Sequence, residues 1–207
     1  MNESWILREM NPQNVDAELW RSYHRYRRAR WEERGDPDEP YLPDDRFEAS
    51  WLHEWQEEDW ANYEIIVSQG EEIVASFGGG APKPGTPNHA SNGHIFFSGG
   101  GVLEPWRRQG IARAWLRKVL EQMPKTGAHT LMVNTHEPAG KAFMERLAGP
   151  PKQWVRYSRT AFPTLDWALI DRWSAEAASR APGYTLEIHE QRLPEPLWPE
   201  YCAAKEE

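Results

Sequence analysis

The sequence predicts an α/β domain, on three observations. Short β-prone runs alternate along the chain with stretches whose apolar residues recur at three- and four-residue spacing. One segment, Val102 to Ala112 (V-L-E-P-W-R-R-Q-G-I-A), compresses a strand end, a turn, an arginine pair, a glycine and a helix start into eleven residues. The 207 residues are 39% apolar and include 12 Trp, enough to fill the core of one domain or a little more.

Taken in order, Trp5 to Arg8 reads as a first strand and Asn11-Pro12 as a turn and helix-start signal. Val15, Leu19, Tyr23 and Tyr26 then predict an amphipathic helix to about Arg34, before Gly35. Three prolines between Asp36 and Pro43 impose an extended loop. Asp44 or Asp45 caps a second helix through about Glu58, with Phe47, Trp51 and Trp55 on one stripe. Tyr63 to Ser68 and Glu72 to Phe77 form a hairpin around Gln69-Gly70. Gly78 through Gly93, rich in Gly, Pro, Asn and Ser, reads as a loop. The strand Gly93 to Leu103 contains Gly99-Gly100-Gly101, a mark of a bulge or a close backbone approach, and Pro105 ends it.

From Ile111, the residues Ala114, Trp115, Val119 and Leu120 place a helix that runs to Met123, with Gly127 as its break. A strand at His129 to Asn134 and a helix from Pro138 to Leu147, closed by Gly149, follow. Beyond Gly149-Pro150-Pro151, a strand is expected at Gln153 to Arg159. Pro163-Thr164 introduces a helix carrying Leu165, Leu169, Ile170, Trp173 and Ala177, which Pro182-Gly183 ends. Tyr184 to Ile188 then reads like the opening strand. Leu197-Trp198-Pro199-Glu200-Tyr201 repeats the L-W-x-x-Y pattern of Leu19-Trp20-Arg21-Ser22-Tyr23. The division expected is therefore 1–160 as one domain and 161–207 as either a helical extension or the truncated start of a second copy of the fold.

Composition narrows the function. A lone cysteine, Cys202, forms no intrachain disulfide and suits a reducing compartment. No signal pattern opens the chain, and no apolar run reaches the ~20 residues a membrane span requires, so a soluble, cytoplasmic protein with no membrane partner is expected. The net charge of -8 argues against nucleic acid as a partner. His89 and His94 have no Cys or third His at ligand spacing, so no metal site is expected. From Glu32 to Asp59, twelve acidic residues against two arginines leave a local charge of -10. That acidity attracts a cationic amine or forms a solvated helix face.

The turn within Val102 to Ala112 carries the chemistry. Backbone N–H groups of Arg107 to Gly110, at the positive end of the helix that follows, favour an anion, and phosphate is the natural guest. Gly110 removes a blocking side chain, while Arg107 and Arg108 add donors. An ordinary strand-to-helix turn with two solvated arginines is the alternative. The G-x-x-x-x-G-K-[ST] motif is absent, and Gly99-Gly100-Gly101 precedes the turn, which excludes a dinucleotide fingerprint.

Arg107-Arg108-Gln109-Gly110-Ile111-Ala112 resembles the R/Q-x-x-G-x-G/A signature of the GNAT acetyltransferase superfamily, down to the preceding strand and the Pro105 in the turn. The resemblance implies a GNAT-like acyl-CoA N-acyltransferase fold, with a mixed, mostly antiparallel sheet flanked by helices and splayed at the strand carrying Gly100 to Leu103. It implies acetyl-CoA as co-substrate. Its pyrophosphate would lie on Arg107, Arg108, Gln109, Gly110, Ile111 and Ala112, and its thioester and pantetheine on Gly100, Gly101, Val102 and Leu103. Tyr23, Trp51 and Trp55 would line the side that receives a small-molecule amine. The second copy of the fold would resemble tandem GNAT proteins, so a homodimer or packing against a second GNAT-like domain are the assemblies implied.

The chain also departs from the family's pattern. Glu137 stands where many members have an Asn, with Asn134 three residues earlier as a substitute contact, and Met144 stands where a Tyr protonates the departing thiolate. Met donates no proton. The family's frequent strand-borne Glu base is missing too, which leaves His94 and His136 as bases by their ordinary pKa. Two functions follow. The domain is an N-acetyltransferase acting by direct attack of an amine, or a non-catalytic acetyl-CoA-binding domain that senses the ligand or supports a second domain.

Overall fold

The computed structural model describes residues 5–35, 39–56, 59–155, 162–185, 187, 189 and 193–206. The chain divides into two compact units, Met1–Pro150 and Pro151–Glu207. The first comprises β1 (Ile6–Glu9), α1 (Ala17–Arg34), α2 (Asp44–Gln56), β2 (Trp60–Gln69), β3 (Glu72–Pro82), the four-residue α3 (His89–Asn92), β4 (Ile95–Val102), α4 (Ile111–Thr126), β5 (Thr130–Val133) and α5 (Pro138–Ala148). The second holds α6 (Trp167–Arg180) and α7 (Trp198–Glu206). No described helix is long and apolar enough to cross a membrane.

The five strands form one sheet in sequence order, antiparallel throughout except for the parallel pair β4–β5. Alternation along β2 sends Ile65 and Val67 to one face and Glu64 and Ile66 to the other. On the first face they meet Phe77, Phe96 and the four-residue stripe Ile111, Trp115, Val119 and Met123 of α4. On the second face Ile66 packs with Tyr23 and Tyr26 of α1, flanked by Phe47 and Trp51 of α2. Phe96, at 1% exposure, sits within the α4-side core. Phe96→Ala is expected to cost about 3–5 kcal/mol by urea unfolding.

Local chemistry accounts for the element ends. The Asp16 carboxylate accepts from the N–H groups of Glu18 and Leu19, so α1 starts at Ala17 and the Asn11-Pro12 signal yields only a 3-10 turn. Gly35 ends α1 in a left-handed conformation, donating to the Trp31 carbonyl. The loop expected from Gly78 to Gly93 is shorter than the sequence suggests, because β3 continues to Pro82. Gly78, Gly79 and Gly80 pair with β2 on one side and β4 on the other. A Cβ at Gly79 or Gly80 would press on the carbonyls of Phe97 or Ala61, so these glycines serve close strand approach.

Of the strand expected at 153–159, residues 156–159 lie outside the described residues and 153–155 join no regular element. Within 184–188, residues 186 and 188 lie outside them as well, and the rest form no strand. The second L-W-x-x-Y pattern spans the start of α7.

Candidate active site

Strand β5 pairs with β4 only from Ile95 to Ser98, and beyond that point β4 pairs with β3 alone. The sheet is therefore splayed beside Gly99 to Val102. The His94 carbonyl accepts from the N–H groups of His129 and Thr130, both at 3.0 Å, whereas the Leu103 N–H donates to Val74 O at 2.9 Å. Alternation between these two anchors turns the backbone groups of Gly100 and Val102 towards the gap and commits those of Gly101, with the Leu103 N–H, to β3, while the Leu103 carbonyl accepts from the Trp106 N–H at 2.9 Å. Of the four positions singled out by sequence, two face the opening. The Gly101 carbonyl also accepts from the Tyr26 hydroxyl at 2.8 Å.

Past β4 the chain turns sharply into α4. Arg108 (φ 67°) and Gly110 (φ 86°) both adopt left-handed backbone, and no atom lies within 4 Å of where a Gly110 side chain would begin. The helical ladder opens with Ala114 N–H on the Gly110 carbonyl, so the N–H groups of Ile111, Ala112 and Arg113 precede it and have no intrahelical acceptor. Arg108, Gln109 and Gly110 are exposed. Arg107 is engaged within the protein. Its Nε donates to Val102 O at 3.0 Å, and its Nη2 lies 3.0 Å from a Glu33 carboxylate oxygen and 3.7 Å from one of Glu137.

The same acids hold a second arginine. Arg30 pairs with Glu33 at 2.7 Å and with Glu137, the N-cap residue of α5, and its guanidinium lies where a Gly101 side chain would stand. Arginine and carboxylate thus alternate from α1 to the start of α5, alongside the gap. Arginines of α1 also hold part of the acidic segment. Asp44 pairs with Arg27 at 3.1 Å, whose guanidinium covers the Phe47 ring at 3.5 Å, and Glu39 lies 3.7 Å from Arg34. Of the twelve acids at 32–59, Glu33, Glu39 and Asp44 are thus paired with arginines of α1.

The group that sequence reasoning missed is Glu64. It lies on the α1 side of β2 with 5% exposure, and its carboxylate accepts a hydrogen bond from the Ser76 hydroxyl. Ser76 Oγ in turn is 3.0 Å from the Tyr23 hydroxyl, so with Glu64 ionised the order of donation is Tyr23 to Ser76 to Glu64. Burial pushes the Glu64 carboxyl up to about 8, against lowering by the Ser76 and Tyr23 hydrogen bonds. Tyr23 is raised well above its ordinary value, chiefly by burial and then by the Glu64 charge, and stays a proton donor. A side chain at Gly78 would collide with Glu64 Oε2, so glycine there leaves the carboxyl room. The signal in the sequence was a lone acid inside the apolar run Tyr63 to Ser68.

Two cavities meet at this carboxyl. The larger, about 550 Å³, is lined by Tyr23, Tyr26, Arg30, Trp51, Glu64, Ser76, Gly100, Gly101, His136 and Glu137 among others. The smaller, about 310 Å³, is lined by Trp51, Glu54, Trp55, Trp60, Asn62, Glu64, Gly78, Gly79, Gly80 and Phe97 among others. Trp51, Glu54, Glu64 and Gly78 border both. The structure thus brings Tyr23, Trp51, Gly101, His136 and Glu137 to one cavity and sets Trp55 in the other. His94 borders neither; it is exposed at the far end of β4, its ring centroid 5.5 Å from that of His129. Asn134 is exposed just beyond β5, and Met144 is half-buried on α5. Among the described residues, no group of three or more His, Cys, Asp or Glu is placed to hold a metal ion.

A mostly antiparallel sheet, splayed at a glycine-rich strand with a strand-turn-helix at its open end, defines an acyl-CoA N-acyltransferase fold. The chain belongs to the acetyltransferase (GNAT) family, whose model matches residues 18–149. Three solved structures share the fold. Aminoglycoside acetyltransferase AAC(6')-Iy, bound to the bisubstrate analogue CoA-S-monomethyl-acetylneamine, is 16% identical, with 76% of this chain and 99% of that chain covered and a TM-score of 0.54. A predicted acetyltransferase from Clostridium acetobutylicum with acetyl-CoA is 13% identical (75% of this chain and 96% of that chain covered, TM-score 0.55). Glucosamine-6-phosphate N-acetyltransferase from Arabidopsis thaliana is 10% identical (76% and 99% covered, TM-score 0.53). No curated protein sequence matches the chain.

Proposed function

We propose that the chain transfers the acetyl group of acetyl-CoA to a primary amine of a small molecule, by direct attack in a ternary complex. The observation that carries this reading is Glu64, a buried carboxyl bordering the same cavity as Gly100 and Gly101. In this reading the pyrophosphate rests on the turn from Arg107 to Ala112, with Arg108 free to contact it. The thioester lies along the gap, where the N–H groups of Gly100 and Val102 are donors to its carbonyl oxygen as charge develops there. Glu64 takes the proton of the bound ammonium, the free amine attacks the carbonyl carbon and the C–N bond forms; as the tetrahedral adduct collapses the C–S bond breaks, and the remaining surplus N–H proton passes to the departing thiolate, leaving the neutral amide and the thiol. Met144 supplies no proton to that thiolate. His136 faces the cavity and is the second candidate base, whereas the position of His94 gives it no path to the amine. The solved neighbours include proteins named for aminoglycoside and glucosamine-6-phosphate acetylation, which supports an amine acceptor.

Thermal unfolding with acetyl-CoA, followed by thiol release over polyamines, aminoglycosides, amino acids and arylamines, tests the proposal. A stabilising shift with thiol release from at least one amine is expected. Absence of any shift would sink the reading. A shift with no thiol release from any amine would favour the alternative of a domain that senses acetyl-CoA, for which Met144 is the supporting observation.

A further inference from the structure

The smaller cavity is not needed for acetyl transfer, yet its walls are specialised. Its floor is bare backbone at Gly78, Gly79 and Gly80, where neighbouring groups leave no room for side chains. Its sides are aromatic. Trp55 stands edge-on to Trp51, with ring centroids 6.2 Å apart, and Trp60 meets Phe97 at 5.6 Å. Glu54 borders the cavity, and its carboxylate has the Ser50 hydroxyl at 3.3 Å and no cationic partner among the described residues. Glu33 on α1 and Asp44 on α2, by contrast, are each paired with an arginine. An unpaired carboxylate beside several indoles suits a cation carrying carbon substituents, because indole faces attract alkylammonium groups while the carboxylate supplies the countercharge. A neutral alkyl or aryl tail would gain from the rings alone, without the attraction of the exposed Glu54 carboxylate.

Resting on the transferase reading, we infer that the acceptor is a dication: its reacting amine meets Glu64, and a second ammonium sits in the Trp51–Trp55–Trp60 chamber against Glu54. Because Trp51, Glu54, Glu64 and Gly78 border both cavities, one extended molecule can reach from the gap into the chamber. An N-alkylated far end fits as well as a primary one, since the rings recognise charge spread over carbon.

The test compares α,ω-diaminoalkanes of increasing length with n-alkylamines of matched length, both as substrates in thiol release and as ligands in calorimetry. At the best length the diamine is expected to bind about tenfold more tightly than the monoamine. N,N-dimethylation of its far nitrogen should preserve that preference. Glu54→Gln and Trp55→Leu should each bring the ratio close to one, while Trp55→Phe, which keeps an aromatic face, restores part of it and separates ring recognition from a folding defect. Equal binding of diamine and monoamine, or a preference that survives both variants, overturns the inference whatever the rates. If no amine releases thiol but the diamine preference and its loss in the variants are seen, the chamber stands and the transferase reading falls.

Discussion

Glu64→Gln is expected to lower kcat/KM by about 10²–10⁴-fold, the usual contribution of a positioned base. It should also remove the pH dependence of the wild type. Burial holds the Glu64 carboxyl up near 8, so the ionised form that accepts a proton is the minority form at neutral pH. The wild-type rate should therefore rise with pH and level off above about 8, and the Gln variant should lack that rise.

Stability must move the opposite way. In the folded chain Glu64 titrates near 8, against its ordinary value of 4.5, so between those values the native state retains a proton that the unfolded state has lost. Its contribution is fully present below the unfolded value and is lost as pH rises through the folded one. Measured against the wild type, the Gln variant should thus gain in melting temperature from pH 5 to pH 8 and gain no more beyond it. Parallel rate profiles for the two proteins would remove Glu64 from the reaction, and parallel melting profiles would remove its raised pKa.

Why Glu64 escaped the sequence reading is a matter of range. Periodicity along β2 reports that residues alternate faces, but both faces here are covered, by α4 on one side and α1 with α2 on the other, so no amphipathic contrast marks the acid. What buries it is the contact with Tyr23 and Ser76, 41 and 12 residues away in the chain. Helix α4 was legible because its stripe recurs every four residues and Gly127 stops it in a left-handed conformation. The splay was legible in part, since three glycines mark a weakened strand. Which N–H groups face the gap depends on the register with Val74, which no local pattern encodes. Glycine misled in β3, where Gly78 to Gly80 read as loop and instead permit close strand pairing. The acidic segment was legible as charge but not as structure, because the partners of Glu33, Glu39 and Asp44 are arginines spaced along α1, which no local pattern connects to them.

The other large effect is expected from Gly110→Glu, and the ion network explains why the backbone is the place to test. Arg107 is the natural electrostatic partner for a pyrophosphate by sequence, yet its guanidinium is bound to Glu33 and faces Glu137, and its Nε is bound to the Val102 carbonyl. A phosphate arriving at this turn meets chiefly the N–H groups of Ile111, Ala112 and Arg113 and the exposed Arg108. A carboxylate at position 110 places bulk and like charge among those donors. At a hundredfold excess over its Kd, acetyl-CoA should stabilise the wild type by about 2.7 kcal/mol, a shift of roughly 5–11 °C for a chain of this size. Gly110→Glu should abolish that shift. Gly110→Ala is the control, since it meets the same strain at φ 86° without the charge; it should lower the unliganded melting temperature by a similar amount and keep most of the shift. If the Glu variant still responds to acetyl-CoA, the anion does not sit on this turn. Arg107→Ala would then be the next variant to examine, because the cofactor would have to displace the Glu33 pairing and take the guanidinium for itself.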